Sequence, residues 1–402
     1  MSNDAPPLVY NFNTPQQIVF GWGRRREIAT LAQGLGRRAV LVYAPALAEN
    51  GALDEIERLL AAGGVSHLRL AAADHEPEVA DVDRATADLV RAGGGPDDFL
   101  LGIGGGAAID LAKAVAAMTS QRENATVKDY LENVGRDLKL VHDPLPILAM
   151  PTTAGTGAEA TRNAVISSYD PPFKKSLRSE KIMPRIALVD PELCVTAPPS
   201  VTAASGMDAI TQLVESTISR KAQPIPRALA IAGLRRALSS IAEAVENPTS
   251  RPARENMSHA ALLSGMALAN SGLGMAHGVA AALGVHARAP HGLACAILLP
   301  VAIEVNLPVC ARELAELARA FLPLDNADDR QAAVALQREI AALCRRVGIP
   351  GRLSELGVRR DQIPAIVRDS RGSSMSGNPR ELSDKELTAI LEGLLDDPPK
   401  TI

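Results

Sequence analysis

Short β-branched apolar runs alternate with helical segments through the first half of this chain, and then the alternation stops. RAVLVY (38–43), HLRLA (67–71), FLLGIGGG (99–106) and LPILAMPTT (145–153) read as buried strands bounded by charge, proline or glycine. GALDEIERLLAAGG, VADVDRATADLVRAGG and AIDLAKAVAAMTS read as the helices that separate them. KKSLRS (174–179) and RIALVDP (185–191) add two further strand-like pieces. A β-α-β-α order predicts a parallel sheet with helices on its faces. From Thr202 onward nearly everything reads as helix, rich in Ala and Leu. The change falls in TAPPSVT, at 198–202. The expected organisation is an α/β domain over 1–200 followed by an all-helical domain over 201–402.

A chain of 402 residues can support two cores of ordinary size. With aromatic content of only 2%, those cores must be built from Ala, Val, Leu and Ile. Few aromatic platforms and a net charge of −4 argue against a nucleic-acid partner. Cys194, Cys295, Cys310 and Cys344 show no CxxC spacing and read as reduced, buried thiols. The N-terminus lacks a basic start followed by an apolar run, so no secretory signal is read there. The longest apolar stretch, LACAILLPVAIEV, is interrupted by Pro300 and contains Glu304, short of the roughly 18–20 residues that span a bilayer. These features predict a cytoplasmic protein with no membrane partner.

Two glycine-rich loops follow predicted strand ends. GIGGGAAIDLAK (102–113) places Gly104, Gly105 and Gly106 between a strand and a helix start. Glycines there let the backbone approach a ligand, and helix N-terminal amides suit a pyrophosphate. The spacing is not GxGxxG, and a ligand-free tight turn fits the same residues. PTTAGTGAEATRNAVI (151–166) adds hydroxyls and glycine amides after the next strand. Two such loops at adjacent strand ends favour a Rossmann-like dinucleotide site over two solvated loops.

Three of the seven histidines, His277, His286 and His291, fall in one alanine-rich segment, HGVAAALGVHARAPHG. Asp208 lies near the start of a predicted apolar helix, GMDAITQLVES. Alone, such an acid could simply complement the helix dipole. A helix, a loop and a return can bring His277 and His291 to one point, however. With Asp208 they form an oxygen–nitrogen donor set for Zn²⁺ or Fe²⁺. His286 could be a further ligand, a proton relay or a loop histidine.

GIGGGAAIDLAK, PTTAGTGAEATRNAVI, TAPPSVTAASGMDA, GMALANSGLGMAHG and PHGLACAILLP together resemble motifs of the iron-containing (group III) alcohol dehydrogenase family. FNTPQQIVFGWG and EPEVADV extend the likeness, which runs from about Phe12 to Leu394. The resemblance implies a dehydroquinate-synthase-like fold and NAD(P)-dependent interconversion of an alcohol and an aldehyde or ketone, with a metal between the domains. It carries the family's metal ligands onto Asp208, His277 and His291. It carries cofactor contacts onto Gly104, Gly105, Gly106, Ala107, Asp110, Thr152, Thr153, Thr156, Asn163, Lys174 and Val201. Leu268 falls on the substrate pocket, where some members have Phe. A homodimer or higher homo-oligomer is the family default.

This chain departs from the family at several of these positions. The remaining ligand position, usually His, is Gln212, which either binds weakly through its carbonyl or leaves a vertex to water. Glycerol dehydrogenases of the same superfamily use one Asp and two His. Ala281 replaces a histidine proposed to relay protons, so His286 or solvent would take that role. Ala107 replaces a serine after the glycines. Ala44 replaces the acid that binds the adenosine ribose in NAD-using members, which removes repulsion toward a 2′-phosphate and predicts that NADP(H) is accepted. Gln212 and Ala281 also favour a rival, a metal-independent reductase of the maleylacetate-reductase kind. A dehydroquinate-synthase-like lyase lacks its Lys/Arg-rich site here. A non-catalytic nucleotide-binding subunit is the remaining alternative.

Overall fold

Hydrophobic demand on both faces explains the central sheet. The structure, a computed structural model, describes residues 9–121 and 126–395. Residues 1–8, where no secretory pattern is read, lie outside them. Six strands pair in parallel: β1 (Gln17–Phe20), β2 (Arg38–Tyr43), β3 (Ser66–Ala72), β4 (Asp98–Gly104), β5 (Ile147–Pro151) and β8 (Ile186–Val189). Their spatial order is β1-β8-β5-β4-β2-β3. Every residue of β4 and β5 is buried. That fits strands covered on both sides, which read as continuous apolar runs. Val40 and Val42 of β2 pack into one core layer with Leu100. Ala39 and Leu41 pack into the other with Leu101 and Ile103.

Helices α1 (Ile28–Ala32), α2 (Pro45–Glu49) and α3 (Ala52–Ala62) precede β3. Helix α4 (Val79–Arg91) follows it, and α5 (Gly106–Ser120) follows β4. Leu53, Ile56 and Leu60 of α3 belong to one core layer. Leu111, Ala112 and Val115 of α5 belong to the other. The chain therefore leaves β2 toward one face and β4 toward the opposite face. The two strands are neighbours. A crevice opens at such a switch point, outside the strand carboxyl ends. Ala44 and Gly104 stand there, with the Ala44 amide bonded to the Ile103 carbonyl at 2.9 Å.

The second part is built from helices. In order they are α6 (Pro199–Ile218), α7 (Pro224–Glu246), α8 (Arg251–Ser271), α9 (Met275–Ala287), α10 (His291–Arg319), α11 (Asp329–Arg346), α12 (Ile363–Asp369) and α13 (Asp384–Gly393). Proline starts α6 and α7, where the missing amide costs nothing. From Gly206 to Ile218 every residue of α6 is buried, so this helix is the axis on which α7, α8 and α10 pack.

Four sequence expectations need correction. Asp208 is not near a helix start: α6 begins at Pro199, and Asp208 lies in its third turn, so a dipole role is excluded. Pro300 does not interrupt the apolar segment: α10 runs through Pro300 and Pro308 and leaves helical geometry only at Cys310 (φ −137°, ψ 31°). That helix is therefore long and apolar enough, by length and composition, to cross a membrane. Yet 61% of its most apolar window is buried within the protein, as in a core helix. Finally, the segment after the second glycine loop continues into β6 (Asn163–Tyr169), which pairs antiparallel with β7 (Pro172–Arg178). β1 was unread as well. It is an edge strand of four residues with one buried side chain, too brief for its period to register.

Candidate functional site

The loops after β4 and β5 lie side by side because those strands are paired. Gly105 caps the N-terminus of α5 with extended backbone. A Cβ on Gly106 would lie 2.7 Å from Thr156 Cγ2 and 2.9 Å from its hydroxyl, so glycine lets the two loops close on each other. Thr152 is held by its amide on the Gly104 carbonyl at 2.9 Å. The second loop is in turn seated on α8. A Cβ on Gly265 would lie 2.2 Å from the Gly157 carbonyl oxygen, and Gly157 has φ +61°.

A cleft of about 760 Å³ opens between these loops and the helices. Gly106, Ala107, Asp110, Thr153, Thr156, Asn163 and Lys174 line one wall. Val201, Asp208, Gln212, Leu268, His277, Ala281 and His291 line the other. Asp110 Oδ2 accepts the Val165 amide at 3.0 Å, while its Oδ1 has no hydrogen-bond partner among the described residues. The buried Asn163 Oδ1 also lacks one among these residues. Lys174 pairs with Glu76 at 2.6 Å. Ala44, Gly104, Gly105 and Thr152 sit at the strand ends, outside the lining of this cleft.

Under the loops lies Lys113, fully buried. Its ammonium donates to Thr161 Oγ1 at 2.8 Å and to the Asn163 carbonyl at 3.0 Å, and it faces Asp110 at 3.5 Å. Burial pushes the neighbouring Glu159 carboxyl up to about 7. This lysine ties the second loop and the start of β6 to α5.

On the helical wall, donors from three helices converge. His277 Nε2 stands 3.3 Å from Asp208 Oδ1, and His291 Nε2 stands 3.7 Å from the same oxygen. The two imidazole centroids are 5.6 Å apart. Asp208 Oδ1 and His277 Nε2 are both buried, and neither has a hydrogen-bond partner among the described residues. Asp208, His277, His291 and Cys295 offer donor atoms that all lie within 4.8 Å of one another.

Glu215 sets this geometry, and sequence reasoning missed it. It lies one face down α6 from Asp208 and Gln212, at i, i+4 and i+7. It is buried, and it accepts the amides of Gly274 at 3.0 Å and Ala276 at 2.7 Å. Its Oε2 also accepts from His277 Nδ1 at 2.7 Å. One carboxylate thus satisfies the start of α9 and fixes the ring. With Nδ1 held by Glu215, Nε2 is the atom that faces Asp208, and it offers a lone pair there once the ring is neutral.

The electrostatics follow from burial and these partners. Burial opposes ionisation of Asp208, but His277 and His291 outweigh it and hold the carboxyl below its usual value. For His277, burial is likewise outweighed, by Cys295, Asp208 and Glu215, and its pKa rises well above the ordinary imidazole value. Burial and nearby Lys174 push His291 down to about 4, so it is neutral near pH 7. Burial pushes the Cys295 thiol up to about 12.

Gln212 and His286 each take one of the alternatives that the sequence left open. Gln212 donates Nε2 to Asp208 Oδ2 at 3.0 Å, and its Oε1 accepts from Ser264 Oγ at 2.6 Å. The carboxylate can only accept, which fixes the amide this way round. Its oxygen therefore faces Ser264 instead of the other donors. His286 is at the far end of α9, where Nε2 meets Asp369 Oδ2 at 2.6 Å. His286 does not line the cleft, whereas Asp369 does.

Sequence models of the iron-containing alcohol dehydrogenases match residues 15–191, and models of the C-terminal part of that family match 202–395. The chain belongs to the iron-containing alcohol dehydrogenase family. It is 30% identical over 376 residues to long-chain-alcohol dehydrogenase 1 of Geobacillus thermodenitrificans, covering 92% of this chain and 93% of that one. It is 29% identical over 391 residues to the NAD-dependent methanol dehydrogenase of Bacillus methanolicus, covering 96% and 100%. Its fold matches a crystal structure of 1,3-propanediol oxidoreductase with a TM-score of 0.90 at 28% identity, covering 96% of this chain and 100% of that one. As a member, the chain is an oxidoreductase of the alcohol dehydrogenase type, using a nicotinamide dinucleotide. Its residues fit the family's cation, because two orphaned buried donors and a neutral imidazole meet at one point. They fit a dinucleotide too, because the start of α5 at Gly106 and Ala107 and the orphaned Asn163 oxygen belong to the same cleft.

Proposed function

We propose that this enzyme interconverts a small alcohol and its aldehyde or ketone at the junction of a dinucleotide-binding unit, 1–200, and a metal-binding unit, 201–402. The observation that carries the reading is the convergence of Asp208 Oδ1 and His277 Nε2, buried and unpartnered, in the cleft that the glycine loops enter. Asp208, His277 and His291 would hold the cation. When bound, it supplies the Lewis acidity that stabilises negative charge on the substrate oxygen. The nicotinamide, when bound, accepts or returns the hydride.

The chain's own residues orient these groups. The amides of Gly105, Gly106 and Ala107 at the start of α5 receive the pyrophosphate. Thr153, Thr156, Asn163 and Lys174 guide the dinucleotide toward the metal wall. Leu268 borders the space left for substrate. Its relatives are named for alcohols as different as methanol and long chains, so the pocket lining and not the family decides the substrate. Ala281 carries no titratable group, and His286 is held by Asp369. Solvent in the open cleft, or the His286–Asp369 pair through Asp369 at its edge, is left to exchange the proton. Four unpaired thiols suit a reducing, cytoplasmic setting.

The test is aldehyde reduction by protein purified without oxygen or chelator, with metal content measured on the same sample. The expected result is about one metal per chain and turnover that chelator removes. Turnover by metal-free protein would overturn this reading in favour of the metal-independent reductase that Gln212 and Ala281 favour.

Ala44 supports NADPH as an accepted coenzyme, since an uncharged methyl group and not a carboxylate stands beside Gly104 at this position of the switch point. Ala44→Asp is expected to lower the NADPH-to-NADH ratio of kcat/KM by about tenfold or more, because a like charge facing the phosphate costs at least ~1.4 kcal/mol. Steady-state kinetics with both coenzymes checks this. A ratio unchanged by the substitution would place the ribose elsewhere.

A further inference from the structure

We propose that the fourth protein donor of the metal centre is the Cys295 thiolate and not Gln212, which makes an Asp–His–His–Cys site suited to Zn²⁺. The inference rests on the metal reading above and deepens it. Cys295 follows His291 by four residues on α10, so both side chains leave the same face of that helix. Its sulfur is 3.7 Å from His291 Nε2. Tetrahedral zinc with bonds of about 2.0–2.3 Å has donor–donor edges of about 3.3–3.8 Å. The separations of 3.3 Å for His277–Asp208, 3.7 Å for His291–Asp208 and 3.7 Å for Cys295–His291 fall in that range.

Two independent observations point the same way. Asp208 Oδ1 and His277 Nε2, both on side chains more than nine-tenths buried, lack hydrogen-bond partners among the described residues and face this cluster. Gln212, at the position where the family usually has histidine, gives its amide to Asp208 and its oxygen to Ser264. It acts as a positioning residue behind Asp208. The chain thus lacks a nitrogen donor at 212 and holds a sulfur donor at 295. Binding is balanced simply: the Cys295 S–H bond breaks, the S–Zn bond forms, and the proton leaves to solvent. Thiolate softens the set, and soft donors favour zinc over harder ions.

Cobalt exchange on the full-length enzyme tests this, with Co²⁺ alone as the probe. Bound Co²⁺ is expected to show visible ligand-field bands together with a near-ultraviolet thiolate charge-transfer band. Cys295→Ser should lose the charge-transfer band and keep the ligand-field bands. Gln212→Ala should keep both. The Cys295→Ser variant should also lose more zinc affinity than the roughly 10–100-fold typical of changes behind the ligands. X-ray absorption of the zinc-loaded wild type should show one sulfur at about 2.3 Å. Ligand-field bands without charge transfer in the wild type would remove Cys295 and leave the Asp–His–His reading standing. Absence of any bound cobalt would overturn both.

Discussion

Asp208→Ala is expected to abolish metal retention and to lower kcat/KM for aldehyde reduction by about three orders of magnitude or more. The carboxylate is the only anionic oxygen among the four clustered donors. Both imidazoles are measured against its Oδ1, at 3.3 Å and 3.7 Å. Removing it takes away a ligand and also the acceptor that orients Gln212. Three orders of magnitude correspond to about 4 kcal/mol of lost transition-state stabilisation, which matches the several kcal/mol a Lewis acid contributes. The fold should survive, because the change removes a buried charge from α6 and leaves in place the Glu215 contacts that hold the start of α9. Dinucleotide binding should survive too, since the glycine cradle lies on the opposite wall. Elemental analysis, coenzyme fluorescence titration and kinetics on one preparation decide the matter. Wild-type turnover with wild-type metal content would remove Asp208 from the centre.

Glu215→Gln should weaken metal binding by about 10–100-fold with the fold retained, whereas Glu215→Ala should cost about 3–5 kcal/mol of stability. The alanine variant strands the amides of Gly274 and Ala276 and the His277 ring N–H, all of which now end on one carboxylate. Each buried donor left unmade costs about 1–3 kcal/mol. Glutamine still offers an oxygen acceptor, so most of the helix start persists. It no longer offers the negative charge that raises the basicity of His277 Nε2. Zinc affinity by competition with a chromophoric chelator, set beside thermal unfolding, separates the two effects. Unchanged metal affinity in the glutamine variant would reduce Glu215 to a structural cap of α9.

These two residues show what was legible in the sequence. Asp208, His277 and His291 could be singled out because an acid and clustered imidazoles are rare in an alanine-rich segment and carry their chemistry in their identity. Glu215 carries the same chemistry but no local mark. Its signal, the i+7 spacing from Asp208 on one helix face, becomes meaningful only when α6 is known to begin at Pro199 and to be buried all round. Cys295 was read as an ordinary buried thiol, which its burial alone would support. Its sulfur joins the donors only because α10 starts at His291, so that the four residues to Cys295 make one helical turn. β6 was read as loop because its alternation, NAVISSY, follows directly on a glycine-rich stretch.

The sequence by itself determined the class of the fold and the two glycine loops. Period and composition are local properties, and strand-then-glycine-then-helix recurs wherever a backbone must turn toward a ligand. The sequence also named the residue types able to hold a cation. Which atoms meet was decided only by the tertiary structure. Whether Gln212 points at the other donors or away depends on Asp208 and Ser264, which lie on two different helices. Whether His286 reaches the cleft depends on Asp369, 83 residues further along the chain. Side-chain donors have range of only a few ångströms, so a centre assembled from α6, α9 and α10 exists only once those helices have packed.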